Sequence, residues 1–203
     1  MPRAKQRTPE LRDRVLDVAV NALGEHGVSG FTARRVAELA GTSVPAVYEL
    51  FVDKAGLIRQ VYFEGFRLLG RDLATVPATD DPVADVERLA PVFRRFCIER
   101  PALAQVMFSR PFASFDPGPE DLAAGAAVRE VFTGRIKRCV DEGLLRGNPT
   151  DIAHVLLALV QGLAVQEGGR WLGNSKAAVN RRWALGVTTL LGGFSVGTAP
   201  ARS

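Results

Sequence analysis

Apolar residues recur at intervals of three and four almost from the start of the chain. After Leu11 come Val15, Val18, Ala19, Ala22 and Leu23, one stripe of an amphipathic helix of about four turns that ends near Gly24 and Gly27. Thr32 stands where an N-cap would, ahead of a second helix of roughly two to three turns closed by Gly41, with Val36, Ala37, Leu39 and Ala40 inward. Between Thr42 and Phe51 a hydroxyl can cap and Pro45 fits only a first helical turn. A third short helix is therefore expected, with Val47, Leu50 and Phe51 in the core and Tyr48 on the outer face. Asp53 caps a long fourth helix whose apolar side carries Leu57, Ile58, Val61, Tyr62, Gly65, Phe66, Leu69 and Leu73. Pro77 breaks it, and 77–82 reads as a linker. Further helices are predicted at 83–100, 102–108, 119–145, 149–171 and 176–194, punctuated by Pro101, Arg110-Pro111, Gly147-Asn148-Pro149 and Gly173-Asn174-Ser175. Period-two alternation is nearly absent. The fold class is all-α, with about nine helices.

Two short helices joined by a tight glycine turn, with a supporting helix before them, form a helix-turn-helix pattern. The second of such a pair can lie in the DNA major groove with its N-terminal residues toward base edges. The chain accordingly divides into a basic arm (1–9), a helix-turn-helix domain (10–56), a connecting helix (57–76), a larger helical domain (83–195) and a disordered tail (196–203).

Composition narrows the classes. The 203 residues are 47% hydrophobic and 24% charged, which excludes intrinsic disorder. Cys97 and Cys139 lack metal-ligand spacing and read as free buried thiols. No metal and no cofactor is expected. The basic N-terminus runs into a charged helix, not a signal peptide, and the apolar stretch 152–165 is broken by His154, Gln161 and Gly162. It falls short of the roughly 20 residues a membrane span needs, so a cytoplasmic protein with no membrane partner is expected. Only His26 and His154 are available for acid-base work, without a nucleophile, metal set or phosphate loop around them, and no catalytic residue is assigned. The net charge of +4 is a weak clue: residues 1–60 hold 9 basic and 7 acidic groups, and the remaining 17 and 15 give the same +2. A local excess does exist, because Arg3, Lys5, Arg7, Arg12 and Arg14 outweigh Glu10 and Asp13 by three. Of these, Arg3, Lys5 and Arg7 can follow the DNA backbone, enter the minor groove or serve as a solubilising tail.

Several residues fit contact with double-stranded DNA. Lys54 follows an N-cap, which puts a cation at the positive end of a helix dipole, a conflict that a phosphate would relieve. Thr42, Ser43, Val44, Pro45 and Ala46 lead the third helix. Their small hydroxyl and methyl groups suit close approach to phosphates and thymine methyls, but supply no fork for a strong base code. Thr32 and Arg34 start the preceding helix, where Arg34 and Arg35 are phosphate candidates. The phenol of an outward Tyr48 can bond a phosphate while its ring packs on sugar.

The run Phe31-Thr32-Ala33-Arg34-Arg35-Val36-Ala37-Glu38-Leu39-Ala40-Gly41-Thr42-Ser43, with Val47-Tyr48-Glu49-Leu50-Phe51 and Asp53-Lys54-Ala55-Gly56-Leu57 after it, resembles the tetracycline-repressor (TetR) family across about residues 10–60. The resemblance implies a homodimeric, all-helical transcription factor whose first three helices bind operator DNA while the remainder senses a ligand. It also implies a phosphate contact for Lys54 and a backbone contact for Tyr48. Residues 83–170 are similar to the subgroup marked by Trp, His and Gly in its eighth helix, although here Gln161 precedes Gly162 and no tryptophan lies upstream.

For the sensing half, Phe66, Phe93, Phe96, Met107, Phe108, Phe112 and Phe132, with Phe63 and Phe115, lie where the family keeps its pocket. They fit either a pocket lining for a small apolar ligand or plain core. Gln161 or His154 could orient such a ligand. The last two helices carry Val155, Leu156, Leu159, Val160, Leu163, Trp183, Val187, Leu190 and Leu191, with Gly162, Gly186, Gly192 and Gly193 allowing close approach. A four-helix dimer interface accounts for both features, and packing within one subunit is the alternative. The function expected is a repressor released from a palindromic operator by an apolar compound. The alternatives are an activator or ligand-independent binder and, more remotely, a helical enzyme.

Overall fold

A computed structural model describes residues 9–108 and 118–196, apart from the side chains of His26, Val28 and Ser29. Arg3, Lys5, Arg7, Phe112, Phe115 and residues 197–203 lie outside the described residues. Among those described there are ten helices: α1 (Pro9–Gly30), α2 (Ala33–Leu39), α3 (Val44–Phe51), α4 (Lys54–Ala74), α5 (Pro82–Glu87), α6 (Leu89–Glu99), α7 (Pro101–Phe108), α8 (Pro119–Asp141), α9 (Pro149–Gly168) and α10 (Lys176–Phe194). None is long and apolar enough to cross a membrane, and no group of His, Cys, Asp and Glu suited to a metal ion occurs among the described residues.

The helices form two compact units that follow packing rather than chain order. The first comprises the described residues up to Arg67 and those from Arg100 to Ala124, so α7 packs with the head, against α1. Its core is built on Val15, Ala19, Leu23, Phe31, Val36, Val47 and Leu57, each at most 1% exposed. The helical run of α1 is interrupted at Gly27, whose φ of 64° only glycine adopts readily. Thr32 caps α2 as the sequence predicts, its hydroxyl accepting the Arg35 N–H at 3.2 Å. Gly41, at φ 64°, turns the chain so that the Thr42 N–H reaches back to the Ala37 carbonyl at 2.9 Å. Ser43 then caps α3 by accepting the Ala46 N–H, with Pro45 in the first turn. Two expected core residues differ. Leu39 is 53% exposed because the buried face of α2 is Ala33, Val36, Ala37 and Ala40, and a helical wheel places residue 39 well off that face. Leu50 is half-buried.

The second unit holds residues 68–99 and those described from Gly125 onward. Its core includes Leu89, Phe93, Phe96, Phe132, Ile136, Leu156 and Val160, all inaccessible to solvent. The single helix expected at 83–100 is two helices that part at Arg88. Pro91 explains this, since it has no N–H for the Glu87 carbonyl and its ring crowds that same carbonyl. The stretch read as a linker is firmly held. Asp85 on α5 is fully buried and accepts the Thr79 N–H and the Thr79 hydroxyl, each at 2.8 Å, while pairing with Arg88. Arg138 approaches the same carboxylate at 3.4 Å and Arg135 at 3.5 Å. Arg135 also donates to the Val76 carbonyl at 2.6 Å, and Arg138 to that of Thr79 at 2.7 Å. The Thr79 N–H bond, outweighing the opposing push of burial, holds the Asp85 carboxyl down at about 2, with the Thr79 hydroxyl and Arg88 adding to it.

Helix α8 ends four residues earlier than expected, where Gly143 (φ 72°) lets the Leu144 N–H turn back to the Cys139 carbonyl at 2.9 Å. An isolated antiparallel bridge follows: Arg146 N–H donates to Phe194 at 2.8 Å, and Val196 N–H to Leu144 at 3.1 Å. Val196 is thus bonded rather than part of a tail. Both cysteines are free; Cys139 is buried as expected but Cys97 is only half-buried, and burial still pushes its thiol up to about 12.

Candidate nucleic-acid interface

The residues singled out for DNA contact lie at or near three successive helix starts. Thr32, Arg34, Ser43, Pro45, Tyr48 and Lys54 are exposed; Thr42, Val44 and Ala46 are half-buried. Tyr48 is 40% exposed, on the flank of α3 beside the buried face of Val47 and Phe51. Arg34 pairs with Glu38 one turn on at 3.1 Å, an exposed pair that contributes little to stability and can re-pair with a phosphate. Arg35 is exposed beside it.

The start of α4 is built by a compressed turn. Val52 adopts φ 70°, ψ −59°, and the Asp53 N–H bonds back to the Phe51 carbonyl at 2.8 Å, a three-residue turn strained for a β-branched side chain. Asp53 caps α4 through the Gly56 N–H at 2.7 Å, and its carbonyl accepts the Leu57 N–H at 3.1 Å. A Cβ at residue 56 would stand 2.0 Å from the Phe51 carbonyl oxygen, so only glycine fits there. This arrangement delivers Lys54, exposed, at the first position of α4. A cation there opposes the helix dipole, whereas the adjoining N–H groups favour an anion.

Arg12 and Arg14, counted above with the basic excess, are committed to the protein. The Arg12 guanidinium lies 5.4 Å over the Phe51 ring and donates to Gln60 at 2.6 Å; Arg14 donates to the Ala40 carbonyl at 3.1 Å. No local sequence signal marks them, because their partners lie 26 to 48 residues downstream.

The residues read as pocket lining divide between the units. In the first, Phe66 and Phe108 meet edge-on with ring centroids 5.9 Å apart, Tyr62 lies 4.9 Å from Phe66, and Met107 packs against Gly65. Beside them the fully buried Asp121 pairs with Arg59 and accepts the Gly118 N–H, and the Tyr62 hydroxyl donates to the Asp121 carbonyl. In the second unit Phe93, Phe96 and Phe132 are core, and Gln161 is half-buried. His154 is exposed and bonded to the Thr150 carbonyl of its own helix, so it does not face an apolar interior. A cavity of about 250 Å³ lies between α10 and the α5–α6 pair, floored by Trp183 and Val187, and none of the predicted pocket residues lines it. At its rim Arg94 is held by Glu167 on two oxygens at 2.7 Å, which keeps the Glu167 carboxyl below its ordinary range.

On α9 and α10, Leu156, Val160, Trp183, Val187 and Leu191 are buried within their own unit, and Leu159 and Leu163 pack on Gly186. Internal packing therefore accounts for most of that apolar surface. Val155, Val165 and Leu185 remain 50%, 67% and 64% exposed, with Gly162 open beside them.

Residues 15–61 match the model of bacterial regulatory proteins of the tetR family, and residues 86–190 match that of the tetracyclin repressor-like C-terminal domain. No curated protein sequence matches the chain. Among solved structures, a protein of unknown function from Rhodococcus sp. RHA1 superposes with a TM-score of 0.80 at 23% identity, covering 94% of this chain and 98% of that one. The fatty acid degradation regulator FadR from Bacillus halodurans gives 0.72 at 12% identity, over 97% and 100%. A TetR variant from Acinetobacter baumannii AYE in complex with minocycline gives 0.63 at 18%, over 88% and 93%. With a helix-turn-helix head and family models that together span most of its length, the chain belongs to the TetR family of DNA-binding transcriptional regulators.

Proposed function

We propose that the protein is a homodimeric repressor that leaves a palindromic operator when a small apolar compound binds its helical domain. The observation that carries the DNA-binding assignment at residue level is the run of exposed helix starts: Thr32 and Arg34 on α2, Ser43 and Pro45 on α3, and Lys54 on α4, with Tyr48 exposed on α3. Thr32, Arg34 and Lys54 hold phosphates, Tyr48 a phosphate and its sugar, and Thr42 to Ala46 approach base edges. The minocycline complex on the same fold supports a sensed small molecule. Of the residues expected to line its site, Phe66, Met107 and Phe108, which cluster in the first unit, are proposed to contact it. Exposed Val155, Val165 and Leu185 support a subunit interface through α9 and α10. A role on operator DNA fits a cytoplasmic protein.

To move operator occupancy from 99:1 to 1:99 the compound must favour the released state by about 5.5 kcal/mol. The test is titration of duplex DNA against salt. Lys54→Ala should weaken binding about equally on every sequence and lower the salt slope by about 1, while Pro45 substitutions should change sequence preference. Equal behaviour of the two would overturn the assignment of α3 to base edges. Absence of salt-dependent DNA binding by the wild type would overturn the function itself.

A further inference from the structure

The first unit carries an arginine, counted above only in the basic excess, that touches the last residue of the recognition helix. Arg12 is half-buried on α1, with its guanidinium 5.4 Å over the ring of Phe51 and its Nη2 bonded to Gln60 of α4 at 2.6 Å. Phe51 is the last residue of α3 and is 4% exposed. Its carbonyl accepts the Asp53 N–H and sits where a Cβ of residue 56 would be. A single residue thus fixes two directions, that of α3, which bears Tyr48 one turn earlier, and that of α4, which begins with Lys54. Arg12 grips that residue by the ring and α4 by the side-chain amide of Gln60 in its second turn. We infer that Arg12 is a positioning residue for DNA recognition: it sets the angle between α3 and the start of α4, and hence the register of base-edge contacts against the Lys54 phosphate contact, without touching DNA. This rests on the DNA-binding reading given above.

A phosphate ligand and a positioning residue leave different signatures. Losing a phosphate contact weakens all sequences together and flattens the salt dependence. Losing the register penalises the preferred sequence alone. Arg12→Met keeps the apolar stem and removes both the cation over the ring and the donor, whereas Arg12→Lys keeps a cation. The probes are a duplex recovered from a randomised library by selection on the wild-type protein, and a scrambled duplex of the same composition. Arg12→Met is expected to bind the selected duplex about tenfold more weakly and the scrambled one within about twofold of wild type, with an unchanged salt slope. Arg12→Lys should recover most of the loss. In the free protein, amide hydrogen exchange of Arg12→Met should rise across residues 47–57 and stay unchanged in α2 and the first half of α1.

Equal weakening on both duplexes with a slope lower by about 1 would make Arg12 a phosphate ligand and overturn the inference. Wild-type binding to both duplexes, or exchange that rises uniformly through the head, would overturn it too, the latter by showing a merely structural role. If selection on the wild-type protein recovers no duplex, the DNA-binding reading fails, and the exchange pattern still decides whether Arg12 orients α3 and α4.

Discussion

At the α3–α4 junction the chain turns through Val52 and Asp53, and a glycine with no room for a methyl group closes it, whereas the loop from α4 to α5 is drawn down by one buried carboxylate facing three arginines. Both joints are tight. The first is held chiefly by shape and the second by charge, so different perturbations should open them. Shape is insensitive to pH and intolerant of volume; a charge cluster tolerates volume at its edges and fails when its single anion is lost.

The largest expected effect is at the joint held by shape. Gly56→Ala forces a carbon to 2.0 Å from the Phe51 oxygen, so the turn must open; a loss of about 3 kcal/mol is expected in denaturant unfolding of the head, with loss of DNA binding. A variant as stable as wild type would show that the turn yields freely. Next comes Asp85→Asn, which leaves Arg88, Arg135 and Arg138 without their common anion. Protease cleavage should appear within residues 77–81 and the melting temperature should fall, with DNA affinity measured below that melt little changed. Cleavage at the α3–α4 turn instead would erase the distinction.

Acid provides the same contrast without mutation. Asp85 titrates at about 2, below an unfolded carboxyl near 3.8, so its contribution is complete above about pH 4 and is lost as the pH falls toward 2. Hydrogen exchange should therefore rise in the α4–α5 loop over that interval before it rises at residues 51–57. Simultaneous exposure would mean that one cooperative unit responds. The smallest effect has the opposite sign: Val52→Gly relieves the positive φ but increases the freedom of the unfolded chain, leaving a net gain of about 0.5 kcal/mol by thermal unfolding.

How legible each joint was follows from where its partners lie. Thr32, Ser43 and Asp53 act within three residues of themselves, so the spacing of hydroxyl, carboxylate, proline and glycine disclosed the helix starts. The same spacing placed Lys54 and outward Tyr48. Asp85 depends on Arg135 and Arg138 about fifty residues on, which no local pattern reveals, and 77–82 looks like a linker because Pro77, Asp80, Asp81 and Pro82 are turn formers. Arg12 and Arg14 were absorbed into a basic excess for the same reason. Pro91 was hidden differently. The apolar spacing of Val86, Leu89, Ala90, Phe93 and Phe96 continues across it, so periodicity suggested one helix where backbone chemistry requires two. The apolar side chains of α9 and α10 were recognised as partner-seeking, but periodicity could not say how many partners each helix already had.

The arginine-held loop also sets an order of events during synthesis. Residues 76–79 are anchored by side chains at 135 and 138, so on the ribosome they remain without their anchors until about sixty further residues have been made. At about 5–20 residues per second that interval is about 3–12 s. The residues that make the contacts of α1 with α2 and of α2 with α3 have all been synthesised before it begins. Nascent chains cut by a protease during that window should break between α4 and α5, in a segment that the finished protein protects.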